Sequence, residues 1–301
     1  MATKRPGLGK SAAVSSVALL SFGPVIVKQV ELVATGFVFW RLLIAAVPLA
    51  VFFAVSRRRV TLKDLRRSAP GGFVFGINLI IGVLALRRTS ALNHMIIMSF
   101  QPLAVLMVGV KYFGERPRTS IYFFSLTAIG GVVLTLFTKD ASGVAGLSGN
   151  LLSLCGMALF TLYFALSKTA RQSLDSPTYQ LLLILVAWIT ILPFLLIVEA
   201  GIPVPSGNDW WLITAMALIP GTGHFLTNVA HGHASLTLVG LMNLGMTSLA
   251  PLYAWWILGE AIGGMQAIGT GIVIISLALI VTTAPQEHPP ESVNPNTVDG
   301  T

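Results

Sequence analysis

The sequence predicts an all-α integral membrane protein, with ten transmembrane helices arranged as two inverted five-helix repeats around a central cavity. Three observations predict it. Apolar residues make up 54% of the chain and charged residues 10%, with a mean hydropathy of +0.82. A soluble chain of this length needs more charge to cover its surface. The apolar residues also fall into runs close to the roughly twenty residues that cross a bilayer core. Finally, the basic residues gather on alternate connections between those runs, as membrane topology requires.

The first element is the run after "MATKRPGLGK". It resembles a signal peptide, but no small-residue cleavage site follows and a second apolar run begins after Glu31, so it reads as an uncleaved helix. Length and hydropathy then place helices near 12–30, 33–55, 70–87, 91–113, 119–138, 149–169, 178–199, 210–230, 235–258 and 264–283. Residues 1–11 form a cytoplasmic N-terminal segment, 12–139 the first repeat and 147–283 the second. The tail 284–301, rich in Pro and polar residues, reads as disordered and cytoplasmic. Most connections are too short to fold independently, so any binding chemistry has to lie within the bundle.

Orientation follows from Lys and Arg. With the N-terminus inside, the cytoplasmic segments carry Lys4, Arg5, Lys10, Arg57, Arg58, Arg59, Lys63, Arg66, Arg67, Lys111, Arg116, Arg118, Lys168 and Arg171. The external segments carry only Arg87, Arg88 and Lys139, while Lys28 and Arg41 lie within spans. This bias puts both termini in the cytoplasm of a cell (inner or plasma) membrane protein. The pI near 10.0 therefore reports topology rather than nucleic-acid binding. Cys155 is the single cysteine, which excludes an intrachain disulfide and reads as packing within an apolar run.

The inverted repeat rests on two matching endings, "KYFGE" at Glu115 and "WWILGE" at Glu260, 145 residues apart. At that offset Ser90 faces Ser235 and Pro102 faces Thr247, and Lys28 near the end of helix 1 corresponds by position to Lys168 near the end of helix 6. Five spans separate equivalent positions, so the halves run in opposite directions and Glu115 faces the cytoplasm while Glu260 faces outward. Inverted halves are the architecture of secondary transporters.

The ordered set Pro102, Gly114, Glu115 and Gly131, repeated as Pro251, Gly259, Glu260 and Gly269, resembles the EamA family of the drug/metabolite transporter superfamily. The early "SFGPVIVK" and the Arg41 of "FVFWRLLIA" resemble its opening helices. The resemblance spans about residues 12–283. Thr247 departs from it where a proline is common, and Phe22 where a tryptophan is common. The resemblance implies a ten-helix inner-membrane carrier for small metabolites, often an exporter, with a cavity between its halves.

Proline within a helix frees the carbonyl four residues earlier. Pro24 does this for Leu20, Pro102 for Met98 and Pro251 for Thr247, and polar backbone at mid-bilayer depth is tolerated only against protein or a water-lined space. Pro24, Pro102 and Thr247 are therefore candidates for the cavity wall, against a reading as packing kinks. Asn78, Asn93, His94, Gln101, Tyr163, His224, Asn228 and Asn243 are the other polar candidates; His94 and Gln101 share a helix face, as do His224 and Asn228, and Asn243 and Thr247. Some of these make only helix–helix hydrogen bonds.

Arg41 lies within helix 2, where a central arginine costs about 2.5–3.5 kcal/mol on insertion scales. It has a structural reading, in which Glu31 or helix-end carbonyls are its partners or it snorkels outward, and a substrate reading, in which it attracts a carboxylate or other anionic group. Asp and Glu are missing at mid-bilayer depth, so proton coupling would need His94 or His224, and uncoupled or weakly coupled transport is the expectation. Glu115 and Glu260 are expected to cap the helices that follow them, or to act as gates with a nearby arginine, alongside Lys28 and Lys168 as structural or gate positions. The tryptophans read as interfacial anchors.

The expected function is alternating-access transport of a small metabolite, with export of amino acids or related polar compounds favoured over export of amphipathic drug-like compounds. Another class, an intramembrane metal-dependent enzyme, has only "HFLTNVAHGH" as raw material. His224, His231 and His233 lack a further ligand at helical spacing, and His231 and His233 read as a polar interfacial turn. A membrane scaffold or sensor is the third class. No cofactor is expected. The expected partners are the substrate, lipid and a second copy of the chain in a homodimer.

Overall fold

In a computed structural model of the chain, residues 5–27, 29–88, 97–136, 147–259 and 262–283 are described. They form helices in the order α1 (Pro6–Leu20), α2 (Gly23–Val27), α3 (Ala34–Val55), α4 (Leu62–Arg88), α5 (Gln101–Phe113), α6 (Thr119–Leu136), α7 (Leu147–Arg171), α8 (Ser176–Val198), α9 (Asp209–His233), α10 (Leu236–Met242), α11 (Leu244–Leu258) and α12 (Gly264–Thr283). Among the described residues seven spans, with α1–α2 and α10–α11 each counted as one, are long and apolar enough to cross a membrane; α5 and α6 are shorter apolar helices. Lys28, Asn93, His94, Glu260 and the tail 284–301 lie outside the described residues.

Local chemistry explains where the helices begin and break. Pro6 opens α1, where a missing N–H costs nothing, six residues before the expected start. The helix stops at Leu20, whose carbonyl Pro24 leaves unpaired, and resumes as α2. In the same way Phe100 interrupts the chain just before Pro102. The second half breaks at Asn243, between α10 and α11, four residues before the expected Thr247, although no proline stands at 247. Helix α4 starts at Leu62 rather than near 70, because Thr61 and Asp64 form a reciprocal cap. The Asp64 N–H donates to Thr61 Oγ1 at 3.2 Å, and the Thr61 N–H donates to Asp64 Oδ2 at 2.9 Å. Arg66 and Arg67 thus ride on the first turns of a helix instead of in a loop.

Packing is set by small residues that bring backbones together. A Cβ on Gly72 would lie 2.7 Å from Val186 Cβ, and one on Gly76 would lie 3.0 Å from Thr190 Cβ, so α4 presses directly on α8. This Gly-x-x-x-Gly face is the usual device for close approach in lipid, where no hydrophobic drive separates helix from solvent. Gly223 gives α9 the same closeness to Ser16 and Leu20 of α1, and Gly131 gives it to α6 on α12. The broad interfaces pair α4 with α7, α1 with α9, α6 with α12 and α4 with α8. Cys155, expected in the packing, is exposed on the outer face of α7.

Candidate functional site

One face of α9 organises the interior. His224, Asn228 and His231 follow at intervals of four and three residues, so a single helical stripe presents all three. Opposite it, α7 presents Tyr163, Phe164, Ser167 and Arg171, and α4 adds Phe75. The Phe75 ring lies 4.8 Å from the Tyr163 ring and 5.4 Å from the His224 ring, and Phe164 meets His231 edge-on at 4.8 Å. The result is an aromatic wall interrupted by polar atoms, shared by three helices.

Several of those polar atoms are buried without a hydrogen-bond partner of good geometry. Among the described residues they are Tyr163 Oη, Asn228 Oδ1 and both His231 ring nitrogens; Gln101 Nε2, on α5 rather than on these three helices, is buried without a partner in the same way. Ser167 and Asn228 are the polar neighbours of the Tyr163 hydroxyl. Asn228 Nδ2 donates to Gln180 Oε1, and the Ser167 and Tyr179 hydroxyls are 2.7 Å apart. Gln101 is the first residue of α5, 2% exposed, directly after the break at Phe100. A buried polar atom left unpaired is expensive, and it marks a place where a ligand or water is accepted.

The end of the bundle beyond His231 is tightly bonded instead. Arg171 Nε donates to the Asn228 carbonyl at 2.8 Å, and its Nη2 donates to Ser176 Oγ at 2.6 Å. Lys168 Nζ donates to the Ala234 carbonyl at the end of α9. Glu115 accepts the Leu236 N–H at 2.5 Å and the Thr237 N–H at 3.0 Å. It thus caps α10, more than a hundred residues away, and not the following helix α6 as expected. Gly114 makes this possible by turning the chain through φ 64°, and Gly109 by leaving room, since a Cβ there would lie 2.6 Å from Glu115 Oε2. Just outside the same end, Asp175 caps α8 by accepting the Thr178 N–H at 2.8 Å and pairs with Arg58 at 2.7 Å. Burial raises the Asp175 pKa, but the Thr178 bonds and the Arg58 charge outweigh it, so the carboxyl lies below its ordinary 3.8.

The remaining candidates divide. Asn78 Nδ2 donates to the Gly156 carbonyl at 2.8 Å, a helix–helix bond between α4 and α7. Pro24 sits half-buried beside Phe22, whose ring stacks on Tyr253 at 4.1 Å. Pro102 is buried in the first turn of α5. Asn243 and Thr247 are half-buried at and just after the α10–α11 break. Arg41 is 7% exposed on α3 and has no hydrogen bond or ion pair among the described residues; Glu31, its expected partner, is exposed and apart. His231 was expected at an interfacial turn, yet it is 1% exposed inside the bundle. Its i+7 spacing from His224 was the available signal. His233, by contrast, accepts the Arg5 N–H at 3.3 Å. Trp188 is also no interfacial anchor: it lies midway along α8, its ring 5.2 Å from Phe39 and its Nε1 buried without a partner. Trp40 fits the anchor expectation better, donating to the Pro203 carbonyl at 2.8 Å near a helix end.

The EamA-like transporter family profile matches residues 7–137 and again 147–282. The chain belongs to the EamA-like transporter family. Consistent with that membership, 234 residues are 29% identical to UDP-galactose transporter 1 of Arabidopsis thaliana, covering 70% of this chain and 64% of that protein. The chain therefore spans less than two thirds of that relative's length. A crystal structure of another protein superposes with a TM-score of 0.79 at 15% identity, covering 93% of this chain and 97% of that one, a likeness of fold. EamA-like proteins are multi-pass membrane transporters, so the family sets the intramembrane enzyme aside.

Proposed function

We propose that this EamA-like protein carries a small polar metabolite, an amino acid or a related compound, out of the cell by alternating access between two inverted five-helix halves. The observation that carries the substrate-site reading is the set of buried atoms without a partner among the described residues on Tyr163, Asn228 and His231 beside an aromatic wall, with a further one on Gln101 of α5, in a family of transporters. Small polar compounds can satisfy such atoms, and the rings exclude water around them.

Two features support ten spans in inverted halves. The family profile fits twice, over 7–137 and 147–282, close to the proposed repeats 12–139 and 147–283. The helix pairing also repeats when the halves are exchanged: α4 on α7 corresponds to α1 on α9, and α6 on α12 corresponds to itself. On this reading the end bearing Glu115 and Arg171 is cytoplasmic, with both termini, in the inner or plasma membrane, because the basic residues gather there. Its bonded state makes the described conformation closed toward the cytoplasm. Glu115 and Lys168 are then gate positions that hold α10 and the end of α9. A homodimer completes the proposal, testable by cross-linking in native membranes.

The likeness to UDP-galactose transporter 1 favours a second reading, in which the cargo is a nucleotide sugar. Export of amphipathic drug-like compounds is the third, favoured by the aromatic wall. A metabolite screen of cells overproducing or lacking the protein separates all three. The expected outcome is an external amino acid or close relative that rises with overproduction and falls with deletion. If no small molecule changes in either strain, the transport reading fails.

A further inference from the structure

Resting on the transport reading, we infer that Arg41 is the residue that recognises the cargo, and that the cargo carries a single carboxylate. The inference starts from position. A Cβ on Gly221 would lie 4.0 Å from Ala45 Cβ, so Ala45 and Gly221 face each other where α3 meets α9. Arg41 stands one turn before Ala45, and His224 stands one turn after Gly221, each on the facing side of its helix. His224 packs on Phe75, which adjoins Tyr163. Arg41 therefore belongs to the same interior stripe as the unpaired polar atoms, at its other end.

The second step is the missing partner. Arg41 is 7% exposed, about seven residues into α3 and hence about 10 Å from its start. Among the described residues it has neither a hydrogen bond nor an ion pair, although a guanidinium offers five donors. Arg171, buried to a similar extent, is not left so. A mostly buried charge with no partner among the described residues is stabilised when an anion arrives, and guanidinium matches a carboxylate with two parallel bonds.

The third step is charge balance. One carboxylate neutralises Arg41, whereas a diphosphate would bring surplus negative charge beside it, since the buried cations Lys168 and Arg171 at the far end of the stripe are engaged by the Ala234 and Asn228 carbonyls and the Ser176 hydroxyl. His224, Phe75, Tyr163 and Asn228 supply hydrogen bonds and ring faces, which suit the remainder of a zwitterion.

The test combines external metabolite profiling with transport in proteoliposomes. Cells produce the wild type, Arg41→Met or Arg41→Lys at matched membrane levels, checked by thermal unfolding of the purified proteins. The expected result is that every compound exported by the wild type bears a carboxylate, and that Arg41→Met loses this export while Arg41→Lys keeps a fraction. In proteoliposomes the wild type should move that carboxylate at least tenfold faster than its neutral amide. Arg41→Met should remove that preference without slowing the amide. Exported compounds with no carboxylate, nucleotide sugars included, would overturn the inference while leaving transport intact. Equal loss of acid and amide transport in Arg41→Met, or unfolding of both variants, would show a structural role and also overturn it. If the wild type exports nothing, the transport reading itself fails, and this inference with it.

Discussion

Arg171 and Arg41 are buried to nearly the same extent, 9% and 7% exposed, yet their surroundings are opposite. Arg171 joins α7 to the Asn228 carbonyl of α9 and the Ser176 hydroxyl of α8, so it ties three helices together. Arg41 meets nothing of that kind among the described residues. Burial alone therefore does not reveal what a charge in a membrane bundle does. The inventory of partners separates a residue that holds the fold from one that waits for a ligand. The same contrast runs along the α9 stripe, from the bonded end near Ala234 to the unpaired atoms around His224.

The largest effect should come from Arg171→Met, which leaves the Asn228 carbonyl and Ser176 Oγ unmet in the interior. A loss of about 3 kcal/mol of stability is expected, read from unfolding in detergent. Arg41→Met should change stability far less, and equal losses would erase the distinction between the two arginines. Gly72→Val comes next, because a Cβ there already lies 2.9 Å from the Leu183 carbonyl oxygen. Overpacking of α4 on α8 should lower stability by about 2 kcal/mol, again seen as a fall in unfolding midpoint.

Glu115→Ala removes two charge-assisted bonds from the start of α10 and should lower stability by about 1–2 kcal/mol. It should also raise hydrogen exchange at Leu236 and Thr237, whereas unchanged exchange there would break the reading of Glu115 as the α10 cap. Asn78→Leu should cost about 0.6 kcal/mol, the usual size of one interhelical bond in a membrane. The smallest effect is pH-dependent. The Asp175 carboxyl is depressed by Thr178 and Arg58, so its contribution is present above its ordinary 3.8 and is lost as pH falls through the lower folded value. Because Asp175 is half exposed, solvent screens this term. Asp175→Asn should flatten a slight acid slope in the unfolding midpoint.

Much of the fold was legible in local pattern. The run expected at 264–283 is α12 itself, and 33–55 differs from α3 by one residue, because apolar length is a local property that lipid reads directly. Pro24 and Pro102 announced their breaks because a missing N–H acts within four residues. The break at Asn243 gave no such warning, since no proline causes it. Thr61 and Asp64 carried a capping signal that the charged flank of α4 obscured.

The candidate site was legible in kind and not in arrangement. Side-chain chemistry marked Tyr163, His224, Asn228 and Gln101 as costly in lipid, and the structure puts the first three on facing helices. It also adds His231, which its neighbours in sequence had made look interfacial.

By itself, the order of residues determined that this chain spans a membrane, which connections are basic, and that its two halves resemble one family twice over. These follow from composition and short-range spacing. Only tertiary structure decided that Glu115 caps α10 instead of α6, that Asn78 serves the α4–α7 contact, and that Arg171 is paired while Arg41 has no partner among the described residues. The physical reason is that a buried polar group takes its meaning from partners on other helices, brought close by packing across a hundred or more residues.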